Sequence, residues 1–261
     1  MKYLILGFCL FVGSAPAMTE AGANSATETS YTHIKGNREA LARLDKLLAA
    51  LGGRELWAEA KSLYLIQRTR SPKVGDGILS TSWRDLERPG EWGELQHAKL
   101  KVRYAWTESG GWFRRDAKYR DYIGDEIAEK AFYWHRDLYT LYHRFAKDEL
   151  TYHLEALEPF GLLVRDAELK KIAELHLTRD GELFRWRPLD TKKKGSSIFG
   201  PYKSFGQARF PDWMASSDGQ WGAYQIQVMP SPIPFHEQVS LGKPVREWQG
   251  GAVQRHSCER P

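Results

Sequence analysis

The chain has 261 residues, a formal charge of +5, 42% apolar residues and 13% aromatics, with ten Trp. That length suits one sizeable domain with its own core, and so small a charge reads as a mildly basic, solvated surface. Cys9 and Cys258 are the only cysteines, and Cys9 lies in an apolar leader, which excludes an intramolecular disulfide in the mature chain. The leader has the three parts of a secretory signal peptide: basic Lys2, an apolar run from Tyr3 to Val12, and Ala15-Pro16-Ala17 as the cleavage site. That run is about half the roughly 20 residues needed to cross a bilayer, so no permanent membrane span is expected. Cys9 follows bulky Phe8 and is not a lipidation site. Cleavage after Ala17 places the mature protein in the periplasm, away from ATP-driven and nucleic-acid chemistry. Residues 18–35 are rich in Ala, Thr, Ser and Glu without a period and read as a flexible lead-in.

Leu41, Leu44, Leu48 and Leu51 step by 3, 4 and 3, which predicts an amphipathic helix ended by Gly52-Gly53. Trp57, Ala60 and Tyr64 suggest a short second turn. Strands follow. Leu100, Val102, Tyr104 and Trp106 alternate with Lys99, Lys101, Arg103 and Ala105, and Tyr224, Ile226 and Val228 alternate with Gln225 and Gln227. Residues 63–70, 78–83, 112–116, 172–178 and 183–187 are further strand candidates. The turn signals Asp76-Gly77, Ser109-Gly110-Gly111, Asp180-Gly181 and Asp218-Gly219 separate them and favour an antiparallel meander. Between the strands, Ile127, Ala131, Trp134, Leu138, Leu141 and Phe145 continue one helical stripe. This predicts a single helix over 125–149, capped by Asp125 and covered on two sides by its extra aromatics. Residues 250–261 have no period and read as a disordered tail.

Two stretches resemble the LolA/LolB-like superfamily of periplasmic proteins. Residues 41–63 (LARLDKLLAALGGRELWAEAKSL) are similar to its opening helix, paired glycines and lead into the first strand. Residues 202–213 (YKSFGQARFPDW) are similar to its Tyr-x-x-x-Gly-x-x-x-Phe-Pro stretch, which precedes a last hairpin. The resemblance implies an α+β fold over 36–249, with a curved antiparallel sheet forming an incomplete barrel over helices and an apolar cavity between. It further implies carriage of a lipid or other apolar molecule, while some relatives of the family act as enzymes on aromatic metabolites. The chain departs from the lipoprotein carrier in its length, its Trp content and its charged aromatic helix. No residue of the carrier's ligand-handling machinery maps onto a position here.

The residues themselves name no catalytic group. His135 and His143 stand about 80° apart on a helix and do not make the i, i+4 pair of a helical zinc site. The carboxylate pairs Glu155/Glu158 and Asp166/Glu168 are neighbours only in sequence, and Ser196-Ser197 lies in no Gly-x-Ser-x-Gly elbow. There is no phosphate-binding glycine loop, and no cofactor or metal is expected. Lys192–Lys194 and Arg114-Arg115 read as ordinary loop and strand-edge charge, with contact to an anionic lipid surface or acidic polymer as the sharper alternative. The candidate ligand-binding residues are Trp106, Trp112, Trp134, Tyr139 and Tyr142 as an aromatic lining, with Arg103 and Arg114 at the mouth for an anionic headgroup. The leading reading is a binder of a hydrophobic or amphipathic molecule. An exported enzyme using the same cavity, and an envelope module that binds a protein partner, stay open.

Overall fold

The computed structural model describes residues 30–72, 75–191 and 195–239. The leader, most of the lead-in, the tail, Cys258 and Lys192–Lys194 lie outside them. A short strand β1 (Lys35–Gly36) leads into helices α1 (Arg38–Ala50) and α2 (Arg54–Glu59). Six strands follow as successive hairpins: β2 (Ser62–Ser71), β3 (Gly75–Asp85), β4 (Gly90–His97), β5 (Leu100–Thr107), β6 (Gly110–Arg115) and β7 (Lys118–Asp121). Helices α3 (Gly124–Trp134) and α4 (Leu138–Lys147) come next. The second half runs β8 (His153–Leu157), β9 (Gly161–Arg165), β10 (Lys171–Leu177), β11 (Leu183–Pro188) and β12 (Ser197–Phe199). It ends with β13 (Tyr202–Phe205), β14 (Ala208–Pro211), β15 (Trp213–Ser216), β16 (Gly222–Ser231) and a last turn of helix, α5 (Phe235–Gln238).

One sheet of fourteen strands carries the fold, in the order β1-β8-β9-β10-β11-β12-β15-β16-β2-β3-β4-β5-β6-β7. The β16–β2 pairing joins the two halves in antiparallel register from Gly222↔Arg70 to Ser231↔Ser62. Only β1 and β8 pair in parallel among the described strands. The two outer strands, β1 and β7, do not meet, so the sheet is an incomplete barrel wrapped over helices. Residues 202–211, which carried the second family-like stretch, form a separate β13–β14 hairpin with Tyr202 opposite Pro211.

The main core lies between the sheet and α1, α2 and α4. Leu44, Leu47, Leu48 and Leu51 of the α1 stripe are fully buried. Gly52 and Gly53 follow at φ 105° and 111°, a left-handed stop that glycine adopts without a steric cost. Trp57 of α2 meets Tyr142 edge-on at 5.5 Å, and Tyr139 stacks on Phe210 at 5.2 Å. Nearly every residue of α4 is buried, as its surplus of aromatics required.

Three expectations are corrected. The single helix over 125–149 is two helices. Asp137 leaves helical geometry at ψ 140°, and its Oδ1 accepts the Tyr139 N–H at 3.0 Å, so it caps α4. The cap position of α3 is Ile123, with Asp125 inside the first turn. Glu126 reaches back to accept the Ile123 N–H at 3.1 Å. In β16 the faces are inverted at first: Tyr224 and Ile226 are exposed while Gln225 is buried, and a bulge between Gln225 and Gln227 then returns Val228 to the core. The lead-in is also held from Tyr31 onward. Asp148 Oδ1 accepts the His33 and Ile34 N–H groups at 3.1 and 2.8 Å, and its Oδ2 accepts that of Thr32.

Candidate functional site

Strand pairing sorts the side chains of β2 to β6 onto two faces. One row across them is Leu63, Arg84, Glu91, Trp106 and Gly111; the next is Leu65, Ser82, Gly93, Tyr104 and Phe113. These rows face the helices, because Arg84 reaches Asp137 and Trp106 packs with Ile127 and Trp134 of α3. The other face carries Tyr64, Trp83, Trp92, Ala105 and Trp112 in one row, with Glu94, Arg103 and Arg114 in the next.

A second, smaller core forms where α3 crosses β5 and β6. It consists of Trp106, Ile127 and Trp134, with Tyr104 and Tyr122 packed against it. Two cross-strand glycines give the rings room. Gly93 lies opposite Tyr104, and a Cβ there would stand 2.3 Å from the Tyr104 ring. Gly111 lies opposite Trp106, and a Cβ there would stand 2.4 Å from the Ala105 carbonyl and 2.6 Å from the Trp106 Cβ. Glycine inside a strand marks such a close approach.

Two open cavities adjoin this cluster, each of about 440 Å³. Trp106, Trp112, Tyr122 and Asp121 line the first; Tyr122, Ile127, Ala128 and Ala131 line the second. Ser109, Gly110 and Tyr122 border both, so the two make a groove between α3 and the β5–β6 turn. Trp106 is 4% exposed and its Nε1 has no hydrogen-bond partner. Trp134 differs: its Nε1 donates to the Asp85 carbonyl at 2.7 Å. Lys130 Nζ sits against three rings, 4.5 Å from the centroid of Tyr122, 5.5 Å from Trp106 and 5.8 Å from Tyr104. Burial pushes the Tyr122 hydroxyl up to about 12 and that of Tyr104 well above its ordinary range, so both stay neutral at physiological pH.

A polar network borders the groove on the α4 side. Arg84 Nη1 lies 2.8 Å from Asp137, its Nε lies 3.5 Å from Glu91, and Glu91 accepts the Tyr104 hydroxyl at 3.0 Å. Burial works against the Arg84 charge, but Asp137 and Glu91 outweigh it and hold its pKa above the ordinary value. Deeper in, Gln67 Nε2 donates to Gln225 Oε1 at 3.2 Å. Tyr139 Oη and Gln225 Nε2 are both buried, and the Gln225 amide faces the Tyr139 hydroxyl.

The residues singled out from sequence fall into three places. Trp106 and Trp134 belong to the small core under α3, while Trp112 reaches the first cavity from the opposite face of the sheet. Tyr139 and Tyr142 belong to the main core with Phe210. Arg103 and Arg114 lie on the opposite face, around a separate cavity of about 250 Å³ with Glu94, Lys101 and Asp116, and Arg103 pairs with Glu94 at 2.9 Å. Strand parity keeps both arginines off the face that carries Trp106. The histidines do not converge: His143 is buried with Nδ1 2.8 Å from the Trp57 carbonyl, His135 meets Arg144, and His153 lies in β8. Among the described residues no group of three or more His, Cys, Asp or Glu has metal-binding geometry. Sequence reasoning missed Tyr122, Lys130 and the two glycines. The available signal was Lys130 itself, which is three residues past Ile127 and four before Trp134, a cation on an apolar stripe.

No family model and no curated protein matches the sequence. Among solved structures the chain is similar to a DUF1329 family protein from Desulfovibrio piger, with 9% identity and a TM-score of 0.41 over 74% of this chain and 93% of that one. At that distance the likeness carries no conclusion about activity. No helix among the described residues is long and apolar enough to cross a membrane.

Proposed function

We propose that this protein, exported by its leader to the periplasm, binds and carries a hydrophobic or amphipathic, lipid-like molecule in the groove between α3 and β5–β6. The observation that supports this reading is the small aromatic core of Trp106, Ile127 and Trp134, two of whose members line adjoining cavities, Trp106 the first and Ile127 the second. Ligand sites are mostly apolar with a few placed polar groups. The groove fits that pattern, with Trp106, Tyr122, Ile127 and Ala131 as apolar surface and the Trp106 N–H as a donor in need of an acceptor. Binding rests on burial, at roughly 0.8 kcal/mol for each CH₂ removed from water, so one acyl chain suffices for useful affinity. α3 suits a movable wall, since only Ile127 and Trp134 of its residues are buried.

Native mass spectrometry of the protein purified from the periplasm, followed by extraction, tests the reading. A lipid of defined mass at one per chain supports it. A protein that is empty, and that stays empty when offered single-chain lipids, sinks it.

A further inference from the structure

The face of the sheet turned away from the helices carries an apolar cluster of its own. It centres on β16 and β2, the middle strands of the fourteen, where the curved sheet bulges outward. Four large apolar side chains stand exposed there: Tyr224 at 62%, Ile226 at 49%, Met229 at 39% and Leu79 at 37%. Strand register makes them neighbours. Tyr224 lies opposite Arg68, Arg68 lies opposite Leu79, and Met229 lies opposite Tyr64. The bulge between Gln225 and Gln227 adds Ile226 as an extra residue. Two strands away, exposed Ile198 of β12 lies between Arg185 and Ala215. Cations are set among these side chains. Arg68 and Arg70 line a cavity of about 590 Å³ with Trp213 and Tyr224. Acids near the cluster are taken: Asp76 by Arg70 at 3.0 Å, Glu94 by Arg103 at 2.9 Å and Glu174 by Arg187. Arg185 donates to the neutral Ser196 hydroxyl at 3.0 Å, and the register sets Arg68 beside Tyr224 and Leu79. Arg68 and Arg185 thus leave net positive charge inside the apolar cluster.

We propose that this face docks the protein on an anionic bilayer surface, with Tyr224, Ile226 and Met229 entering the headgroup layer and Arg68, Arg70 and Arg185 meeting lipid phosphates. Shape and charge both favour a bilayer. A convex cluster of separate side chains enters a soft headgroup layer, which supplies apolar depth for the aliphatic groups and phosphates for the guanidinium forks. Tyrosine suits that boundary, since its ring is apolar and its hydroxyl stays wet. A second copy of the chain is a poorer occupant, because it would bring the same net positive patch against itself. Trp106 and α3 belong to the helix-covered face, so docking and cargo binding use separate surfaces, and the docking face does not depend on the groove.

Co-sedimentation of the full mature chain with vesicles of phosphatidylglycerol, and separately of phosphatidylcholine, tests the docking face. The wild type is expected to sediment with phosphatidylglycerol far more than with phosphatidylcholine, and less as salt rises. Ile226→Ser should lower the partition coefficient about tenfold by removing buried apolar surface. Arg68→Gln should lower it about fivefold, the scale of one basic residue at an anionic surface. Leu150→Ser, at a side chain 45% exposed in the loop between α4 and β8, should leave it unchanged. Circular dichroism on each variant shows whether it is folded. A wild type that stays in the supernatant with phosphatidylglycerol overturns the proposal. So does binding that Ile226→Ser and Arg68→Gln leave intact, or that Leu150→Ser weakens as much. Self-association without vesicle binding, seen by analytical ultracentrifugation and lost in Ile226→Ser, overturns it in favour of a second copy.

Discussion

Asp137 serves two partners with its two carboxylate oxygens: Oδ1 accepts the Tyr139 N–H at 3.0 Å and Oδ2 meets Arg84 Nη1 at 2.8 Å. One side chain thus starts α4 and ties it to β3. The pair is not sealed, with the two side chains 28% and 24% exposed, so solvent screening trims its worth. Asp137→Asn keeps the cap and loses the charge, with an expected cost of about 1–2 kcal/mol. Asp137→Ala loses both and should cost about 2–3 kcal/mol. Urea unfolding of the two variants measures the difference; equal losses would show that the cap contributes nothing.

The two tryptophans of the small core should respond differently to the same change. Trp134→Phe removes a donor from the half-buried Asp85 carbonyl and should cost about 1–2 kcal/mol. Trp106→Phe removes an N–H that bonds nothing in the free protein, so stability should fall by less than about 1 kcal/mol. Thermal melts of both in the absence of ligand check this ordering, and the reverse ordering would place the functional donor on Trp134.

Asp148 contributes to the acid limb of stability. Burial raises its pKa, but the Thr32, Ile34 and His33 N–H groups and Arg54 pull harder, and the net shift is downward. A depressed folded pKa means stability that is complete above the unfolded aspartate value of about 3.9 and lost as pH falls through the folded value. Wild type and Asp148→Asn should therefore differ most at neutral pH, by about 1–3 kcal/mol, and converge in acid. Asn tolerates the left-handed backbone at φ 54°, so the variant isolates the carboxylate. Limited proteolysis near residues 31–36 should report the released segment first, and equal acid sensitivity in both proteins would refute the assignment.

The glycines beneath the rings offer a test of the groove that leaves every ring in place. Gly111→Ala puts a methyl into the Ala105 carbonyl and the Trp106 Cβ, and overpacking of this kind costs about 1–3 kcal/mol. Gly93→Ala pushes only on the Tyr104 ring. It should shift ligand affinity more than stability. Parallel denaturation and ligand titration of the two variants separate the effects; ligand binding untouched by both would place the ligand elsewhere.

The strands and turns around Leu100 to Trp106 were legible because their inward residues are apolar and alternate. β4 was not legible, since its inward positions are Glu91, Gly93 and Leu95: a partner for Arg84, a gap for Tyr104 and only one ordinary core residue. β9 hid for another reason, as Gly161 to Val164 are all buried and give no alternation. The break between α3 and α4 was masked because the step from Trp134 to Leu138 keeps helical spacing across it. The Asp137 cap signal was present in the sequence. Arg103 and Arg114 read as groove residues because sequence proximity to Trp106 says nothing about faces. A period of two sends neighbours to opposite sides.

A long open sheet with two free edges invites polymerisation, because each unpaired edge is a template for another chain. Here β1 offers only two residues, and every residue of β7 is exposed, with Lys118, Arg120 and Asp121 along it. A short edge at one end and a charged one at the other resist strand addition. The chain thereby gains protection against fibre growth without closing its barrel.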